Sequence, residues 1–174
     1  MWSEFIMKKI IVVVDVQNDF VDGSLGTKEA QEMLPRLTAK LTDTDADLIF
    51  TMDTHGKDYL ATQEGKNLPV EHCIKNTHGW KIVDSLSPFV KKARAVVEKP
   101  VFGSLDLPKL VEEADEVELV GLCTDICVIS NALILKAAYP EMKVAVDSSC
   151  CAGVTPKSHD EALAVMKMCQ VEVR

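Results

Sequence analysis

The residue best suited to covalent chemistry is Cys127, which falls in the first turn of a helix predicted over residues 125–138. Backbone amides and the dipole at the start of a helix stabilise a thiolate, the reactive form of a cysteine. A lysine such as Lys99 would favour the thiolate further, and a carboxylate such as Asp15 could take the thiol proton and pass it to a leaving amine. These residue types favour a nucleophilic hydrolase. The alternative, a small buried apolar cysteine, stays open because it is the commoner role of this residue.

A second group of polar residues has the composition of a metal site. Asp53 and His55 stand two residues apart, and Glu64 and His72 follow in the same irregular stretch. Two imidazoles and two carboxylates suit Zn²⁺, Fe²⁺ or Mn²⁺. Loops also carry such residues by chance, so the pattern by itself leaves both interpretations open.

Regular elements must position these residues, and short apolar runs predict six strands. Near-continuous apolar runs are typical of strands that are buried on both faces. The runs cover residues 9–16, 47–52, 93–97, 117–122, 143–146 and, at the edge of the sheet, 171–173. Helical spacing covers residues 28–41, 107–114, 125–138 and 156–168. The alternation predicts a three-layer, doubly wound α/β fold, with a mainly parallel sheet of about six strands and helices on both faces.

The ends of the predicted strands connect the candidate chemistry to the fold. Polar or reactive residues follow four successive strands: Asp15; then Asp53 and His55; then Lys99; then Thr124, Asp125 and Cys127. In open parallel sheets, ligands bind outside the carboxyl ends of the strands. The four strand ends therefore predict one shared cleft. The irregular stretch over residues 53–93 is expected to contribute to it, since long loops in such domains are often functional.

Length and charge restrict the classes of protein. The 174 residues carry 19 Lys and Arg against 27 Asp and Glu, a formal net charge of −8. The length predicts one domain over residues 1–174, with residues 1–7 as a candidate N-terminal extension. The acidic balance argues against a nucleic-acid partner, which needs clustered cations. No apolar run approaches the roughly 20 residues of a membrane-spanning helix, so no membrane association is expected.

The six cysteines accompany neither a signal-peptide pattern nor a CxxC pair, which predicts reduced thiols in a cytoplasmic protein. Cys123 is interpreted as a core residue at a strand end. Buried apolar packing is predicted for the remaining four: Cys73, Cys150, Cys151 and Cys169. His78 and His159 are interpreted as surface or capping residues. The usual glycine-rich dinucleotide fingerprint, the P-loop and the serine elbow are absent from the sequence, which argues against those enzyme classes.

Five segments resemble, in order, the motifs of one enzyme family. DVQNDF (15–20) resembles the opening motif, MDTH (52–55) the second-strand motif and EKPVFGS (98–104) the lysine motif. GLCTDICV (121–128) resembles the nucleophile motif, and DSSCCAGVTPKSHDEAL (147–163) the closing strand and helix. From about residue 8 to residue 174, the chain thus resembles the isochorismatase-like cysteine hydrolases, and within them the nicotinamidase (pyrazinamidase-like) branch.

The resemblance implies a doubly wound three-layer fold and a catalytic triad of Cys127, Asp15 and Lys99. It also implies a cis peptide between Cys123 and Thr124. The backbone amides of Thr124 and Cys127 would then form an oxyanion hole, the pair of donors that stabilises the tetrahedral intermediate.

The metal-bearing branch implies one divalent cofactor ion, with zinc first and iron or manganese as alternatives. Its Asp-x-His pair and distant His match Asp53, His55 and His72. Glu64 is assigned as the fourth ligand, where many members carry a further His. The resemblance further implies a substrate pocket lined by Phe20, Leu68 and Phe102, in which Leu68 replaces the Trp of the family.

The leading prediction is a metal-dependent cysteine amidohydrolase that converts nicotinamide to nicotinate and ammonia in NAD salvage. The main alternative is a metal-free hydrolase of the same family, acting on isochorismate, a carbamoyl compound or another small amide. A third hypothesis is a non-enzymatic binding protein on the same scaffold, against which the intact triad argues. The expected partners are a small-molecule amide substrate and, as is frequent in the family, further copies of the chain in a homo-oligomer.

Overall fold

The computed structural model describes residues 7–174, and six strands of this part form one parallel sheet. Their bounds are β1 Lys9–Val14, β2 Asp47–Asp53, β3 Ala95–Lys99, β4 Glu116–Leu122, β5 Lys143–Ala152 and β6 Glu172–Val173. They lie in the order β3-β2-β1-β4-β5-β6. Apart from Met7, the candidate N-terminal extension over residues 1–7 lies outside the described residues.

The centre of the sheet is apolar on both faces, as the continuous runs predict. Five of the six residues of β1 and all seven residues of β4 are buried. These two strands are neighbours, with Val12 opposite Leu119. The chain winds outward in one direction from β1 to β3 and in the other from β4 to β6. This reversal between β1 and β4 opens a crevice at the carboxyl ends of the strands.

Helices cover both faces of the sheet. Their bounds are α1 Asn18–Val21, α2 Lys28–Thr42, α3 Gln63–Asn67, α4 Ser87–Val90, α5 Leu107–Val111, α6 Ile129–Ala138 and α7 Pro156–Met168. On one face α2 buries Met33, Leu37 and Leu41, and on the other face α6 and α7 bury Leu135 and Met166. The predicted three-layer α/β fold is therefore confirmed. Within residues 7–174, no helix has both the length and the apolar character required to span a membrane.

Several element bounds differ from the sequence prediction. β3 begins two residues later than predicted and ends at Lys99, because it pairs with β2 from Ile49↔Ala95 to Asp53↔Lys99. β5 extends through polar residues to Ala152, which a search for apolar runs cannot detect. The helix predicted over 125–138 begins instead with a π-helical turn, Thr124–Val128, and the one predicted over 107–114 ends at Val111. Neighbouring strands and packing set these bounds, and residue types do not report them.

Candidate active site and metal centre

Asp15, Lys99 and Cys127 meet at the carboxyl end of the sheet. Asp15 directly follows β1 in a left-handed conformation with φ of 48°, Lys99 ends β3, and Cys127 lies in the π-helical turn after β4. The Nζ of Lys99 lies 2.5 Å from Oδ2 of Asp15 and 3.5 Å from Sγ of Cys127. None of the three is more than 4% exposed. The structure thus brings the three residues predicted as base, cation and nucleophile into mutual contact around Lys99.

Further hydrogen bonds fix the base and the cation of this group. The hydroxyl of Thr51 donates to Oδ1 of Asp15 at 2.6 Å, and Nζ of Lys99 donates to the carbonyl of Val101 at 3.1 Å. Both side chains therefore have defined orientations toward Cys127 before any substrate binds. Sequence reasoning missed Thr51, because a threonine inside a strand carries no signal beyond strand propensity.

Burial dominates the electrostatics of the group. It raises the pKa of Asp15 above its usual range, although the charge of Lys99 opposes this effect. Burial also raises the pKa of the Cys127 thiol, and the nearby charge of Asp15 raises it further. From the sequence, the helix start and Lys99 are expected to favour a thiolate. The cost of removing a thiolate from water, which residue types do not report, is the largest effect at this depth.

The turn that carries the nucleophile is held by its own backbone and by one buried amide. The carbonyl of Cys123 accepts hydrogen bonds from the backbone amides of Ile126 and Val128. The side chain of Asn131 donates to the carbonyl of Cys127 at 2.8 Å and accepts from the amide of Ser104 at 2.9 Å. Asn131 is fully buried, so these bonds are shielded from water.

The cis peptide lies one bond earlier than predicted, between Leu122 and Cys123 instead of between Cys123 and Thr124. A non-proline cis bond leaves no trace in residue types, so the sequence could not locate it to a single position. The close approach of β4 to β1 also shapes this strand end. Gly121, with φ of 112°, sits against β1, and a Cβ atom there would lie 2.2 Å from the carbonyl oxygen of Val14.

Thr124 is predicted at the cleft and Cys123 in the core, and the structure shows the reverse. Thr124 is fully buried, and its hydroxyl shares a 2.8 Å hydrogen bond with Nδ1 of His159 in α7. Cys123, predicted as a core residue, is half-buried and lines the cavity beside Cys127. His159 therefore contacts the nucleophile turn and is not a simple surface residue. Thirty-five residues separate it from Thr124, so no local sequence signal could have indicated the contact.

The other cysteine and histidine interpretations have mixed outcomes. Cys73, Cys150 and Cys151 are buried, as predicted, whereas Cys169 is exposed at the end of α7. His78 is exposed, in agreement with its interpretation as a surface residue.

A cavity of about 230 Å³ lies over the nucleophile. Most of its lining is apolar: Phe20, Leu25, Thr27, Asp53, Glu64, Leu68, His72, Phe102, Cys123, Ile126, Cys127 and Val154. Phe20 is 8% exposed, whereas Leu68 and Phe102 are 38% and 44% exposed. The three residues predicted for the substrate pocket thus all border this cavity, with Phe20 the most deeply buried of them.

The four predicted metal ligands converge at the same cavity. One donor atom each of Asp53, His55, Glu64 and His72 lies within 4.8 Å of all the others. His55 Nε2 is 3.0 Å from Asp53 Oδ2 and 3.7 Å from Glu64 Oε1, and His72 Nε2 is 3.4 and 3.5 Å from the same two oxygens. In a tetrahedral site with bonds near 2.0–2.1 Å, neighbouring donor atoms are about 3.3–3.4 Å apart. The spacing therefore fits one small divalent ion.

Hydrogen bonding and charge also suit this cluster to a cation. The Nδ1–H of His72 donates to the carbonyl of Val70 at 2.8 Å, which leaves Nε2 directed at the cluster. Oδ1 of Asp53 is buried without a hydrogen-bond partner. Burial by itself would raise the pKa of Asp53, but hydrogen bonds from His55 and His72 outweigh it and hold the pKa at about 2. Burial raises the pKa of Glu64.

Comparison with known families matches the isochorismatase domain over residues 9–174. The chain belongs to the isochorismatase family. The predicted family resemblance and the prediction of a hydrolase are thereby confirmed. Among curated relatives, the nicotinamidase of Saccharomyces cerevisiae is 28% identical, over 72% of this chain and 80% of its own length. The isochorismatase-family protein PncA of Bacillus subtilis is 29% identical, over 91% of this chain and 93% of its own length.

Solved structures of this family have the same fold. The nicotinamidase/pyrazinamidase PncA of B. subtilis superposes with a TM-score of 0.81 at 26% identity, covering 96% of this chain and 99% of that chain. The pyrazinamidase/nicotinamidase of Streptococcus mutans gives a TM-score of 0.82 at 26% identity, covering 96% and 100%. The pyrazinamidase of Pyrococcus horikoshii, solved in complex with zinc, gives 0.81 at 23% identity, covering 96% and 98%.

Proposed function

We propose that this chain hydrolyses nicotinamide to nicotinate and ammonia, with Cys127 as nucleophile and one divalent metal ion as cofactor, as a step of NAD salvage. The observation that carries the proposal is that one apolar cavity is bordered both by Cys127 and by members of the four-donor cluster. Such a cavity suits a flat, uncharged ring, whose amide would face the thiol. The nicotinamidases among the relatives support a hydrolase that acts on an amide bond.

The covalent step uses the group around Lys99. Asp15 accepts the proton of Cys127, and Sγ of Cys127 attacks the amide carbon of the substrate. The resulting tetrahedral intermediate expels ammonia, which leaves with a proton returned by Asp15, and a thioester to Cys127 remains. Asp15 then accepts a proton from water, which attacks the thioester carbon. The C–S bond breaks, nicotinate leaves, and Asp15 returns the proton to Sγ of Cys127. Lys99 stays charged throughout and stabilises the anionic states of its two neighbours.

The oxyanion of the tetrahedral intermediate needs donors near Sγ. The amide of Cys127 stays our candidate for one of them. The amide of Thr124 is the predicted second donor, but Thr124 is fully buried, whereas Cys123 borders the cavity. We therefore favour the amide of Cys123, which belongs to the cis peptide bond, over that of Thr124.

The donor set supports a metal ion such as zinc. Asp53, His55, Glu64 and His72 would hold the ion, since two imidazoles and two carboxylates are common zinc ligands. A bound ion would supply a Lewis acid at the wall of the cavity, where it could orient the ring nitrogen of the substrate. Phe20 would pack against the ring and exclude water from the reacting amide.

The proposal is tested by assaying ammonia release from nicotinamide. Zinc-loaded wild-type protein is expected to release ammonia, whereas Cys127→Ala and a chelator-treated sample are expected to release none. Readdition of zinc should restore the chelated sample, but not the variant. Absence of ammonia with zinc, iron and manganese alike would overturn the assignment of nicotinamide as substrate.

Leu68 at the rim of the cavity favours a second candidate, a metal-free hydrolase of another small amide or of isochorismate. Its small side chain stands where the family carries Trp, so the wall against a pyridine ring is reduced. Cysteine-dependent activity that persists after complete removal of the metal, verified by elemental analysis, would support this candidate instead.

A further inference from the structure

The side-chain amide of Gln17 is fully buried and is bonded only to backbone on the metal side of the cavity. Its Nε2 donates to the carbonyl of Asp53 at 2.8 Å and to the carbonyl of Trp80 at 2.7 Å. Its Oε1 accepts from the backbone amide of Asp53 at 2.8 Å. The peptide groups on both sides of Asp53 are therefore held by one side chain from 36 residues earlier in the chain.

Asp19, two residues further on, makes the corresponding contact with the loop that carries His72. Its Oδ2 accepts from the backbone amide of Cys73 at 2.8 Å. Cys73 has φ of 47°, a left-handed conformation that its neighbours must hold in place. Gly79 leaves room for this carboxylate, since a Cβ atom at that position would lie 2.0 Å from Asp19 Oδ2.

His55 and His72 lie in loops with little regular structure of their own, whereas Asp53 ends β2 and Glu64 lies in α3. His55 follows the end of β2, and His72 lies between α3 and α4 in a segment without strand or helix. An isolated bridge between His55 and Ile74 is the regular backbone pairing there within residues 7–174. A metal site needs its donors held within a few tenths of an ångström, so contacts from outside the loops must contribute to their position.

From these contacts we infer that Gln17 and Asp19 are positioning residues for the metal centre, Gln17 through Asp53 and Asp19 through His72. The inference rests on the proposed metal site and extends it, because neither residue belongs to the four-donor cluster or lines the cavity. The segment after β1 would then have two tasks: Asp15 serves the thiol, and the two polar residues that follow organise the metal ligands.

Asn131 offers a matched control for Gln17. It is also a fully buried amide, and it also bonds to backbone at three places: Ser104, Cys127 and Phe102. These places lie on the nucleophile side of the cavity. Replacing either amide with an apolar side chain of similar size removes a comparable set of buried hydrogen bonds, but only one replacement affects the metal loops.

The test measures zinc affinity by competition with a chromogenic chelator, which requires no catalysis. Because outer contacts of metal ligands typically contribute ~10–100-fold to affinity, Gln17→Met is expected to weaken zinc binding by about that factor. Asp19→Leu is expected to weaken it similarly, and Asp19→Asn, which keeps an acceptor oxygen, should recover most of the affinity. Asn131→Leu is expected to bind zinc as wild type does while its kcat falls.

The outcomes separate this inference from the proposed function. If wild-type protein binds no zinc, iron or manganese, the proposed metal site itself fails. If wild type binds zinc but Gln17→Met and Asp19→Leu bind it equally well, the inference is overturned and the metal site stands. Equal weakening by Gln17→Met and Asn131→Leu would also overturn it, as a general loss of rigidity. Should Gln17→Met not fold, Gln17→Asn, one methylene shorter, replaces it with the same expectation.

Discussion

Buried charges gather at both ends of the same sheet, and the two groups are paired very differently. At the amino end, Glu116 and Glu118 of β4 are at most 2% exposed. Each of their four carboxylate oxygens has a cationic partner; the partners are Lys9, Lys40, Lys143 and Arg174. At the carboxyl end, Oδ1 of Asp53 has its cationic group, Lys99, at 3.9 Å, whereas each of those four oxygens has one within 3.2 Å. Paired charge at the amino end stabilises the fold, whereas incompletely paired charge beside a cavity is available for binding.

The pKa shifts follow this difference. The hydrogen bond from Arg174, together with those from other cations, lowers the pKa of Glu116 to about 2. Asp15 has one strong cationic partner, Lys99, and burial prevails, so its pKa is raised. The two carboxylates of one sheet thus shift in opposite directions, because hydrogen bonds from cations outweigh desolvation at Glu116, whereas desolvation outweighs the charge of Lys99 at Asp15. A raised pKa lets a carboxylate carry a proton during catalysis, whereas a lowered one keeps it charged.

The largest effect is expected at the carboxyl end, from Asp15→Asn. Asparagine keeps the shape and the acceptor for Thr51 but cannot take the thiol proton. General acid–base catalysis typically contributes ~10²–10⁴-fold, and we expect kcat/KM to fall by about that factor. Steady-state ammonia release measures it. Zinc affinity should stay near that of wild type, which would show that the metal site is intact. Activity of the variant within about tenfold of wild type would contradict the role of Asp15 as base.

A smaller effect, on stability alone, is expected at the amino end from Glu116→Gln. Because the folded pKa is lowered from an unfolded value of 4.5 to about 2, ionised Glu116 stabilises the protein above about pH 4.5. This contribution disappears as the pH falls through about 2. We therefore expect Glu116→Gln to lower the free energy of unfolding by roughly 1–3 kcal/mol at pH 7, and by progressively less between pH 4.5 and 2.

Urea denaturation at pH 7, 5 and 3 measures this difference. Hydrolase activity of the folded Glu116→Gln variant should match that of wild type, because the residue lies at the opposite end of the sheet. Loss of activity in a fully folded variant would show that the two ends are coupled, and would contradict their separate roles in stability and binding.

The smallest effect is expected for an exposed pair, Lys157 and Glu161, one helical turn apart in α7 with 3.6 Å between their charged atoms. Both side chains are more than 60% exposed, so water screens their attraction. Glu161→Gln should change the unfolding free energy by at most about 0.5 kcal/mol, with no pH dependence resembling that of Glu116. A loss as large as that of Glu116→Gln would mean that burial does not distinguish the two pairs.

Much of the site could be predicted because the types of residue at the strand ends indicate its chemistry. The positions of Asp15, Lys99 and Cys127 after apolar runs identify them as candidates, and the parallel sheet brings those positions together. The metal-binding residue types identify a second set, whose donor atoms lie in one cluster: Asp53, His55, Glu64 and His72. Periodicity likewise predicted the fold, since a strand that is buried on both faces must be continuously apolar.

Residue types and spacing are therefore sufficient to predict the layered α/β architecture and the candidate reactive groups. How those groups are tuned and held follows only from the folded chain. Three features depend on burial or on contacts between distant segments. They are the raised pKa of the Cys127 thiol, the cis bond before Cys123 and the hydrogen bond from the backbone amide of Asp53 to Gln17. Residue types and spacing specify which atoms are present, but desolvation and long-range hydrogen bonds exist only once the chain has folded around them.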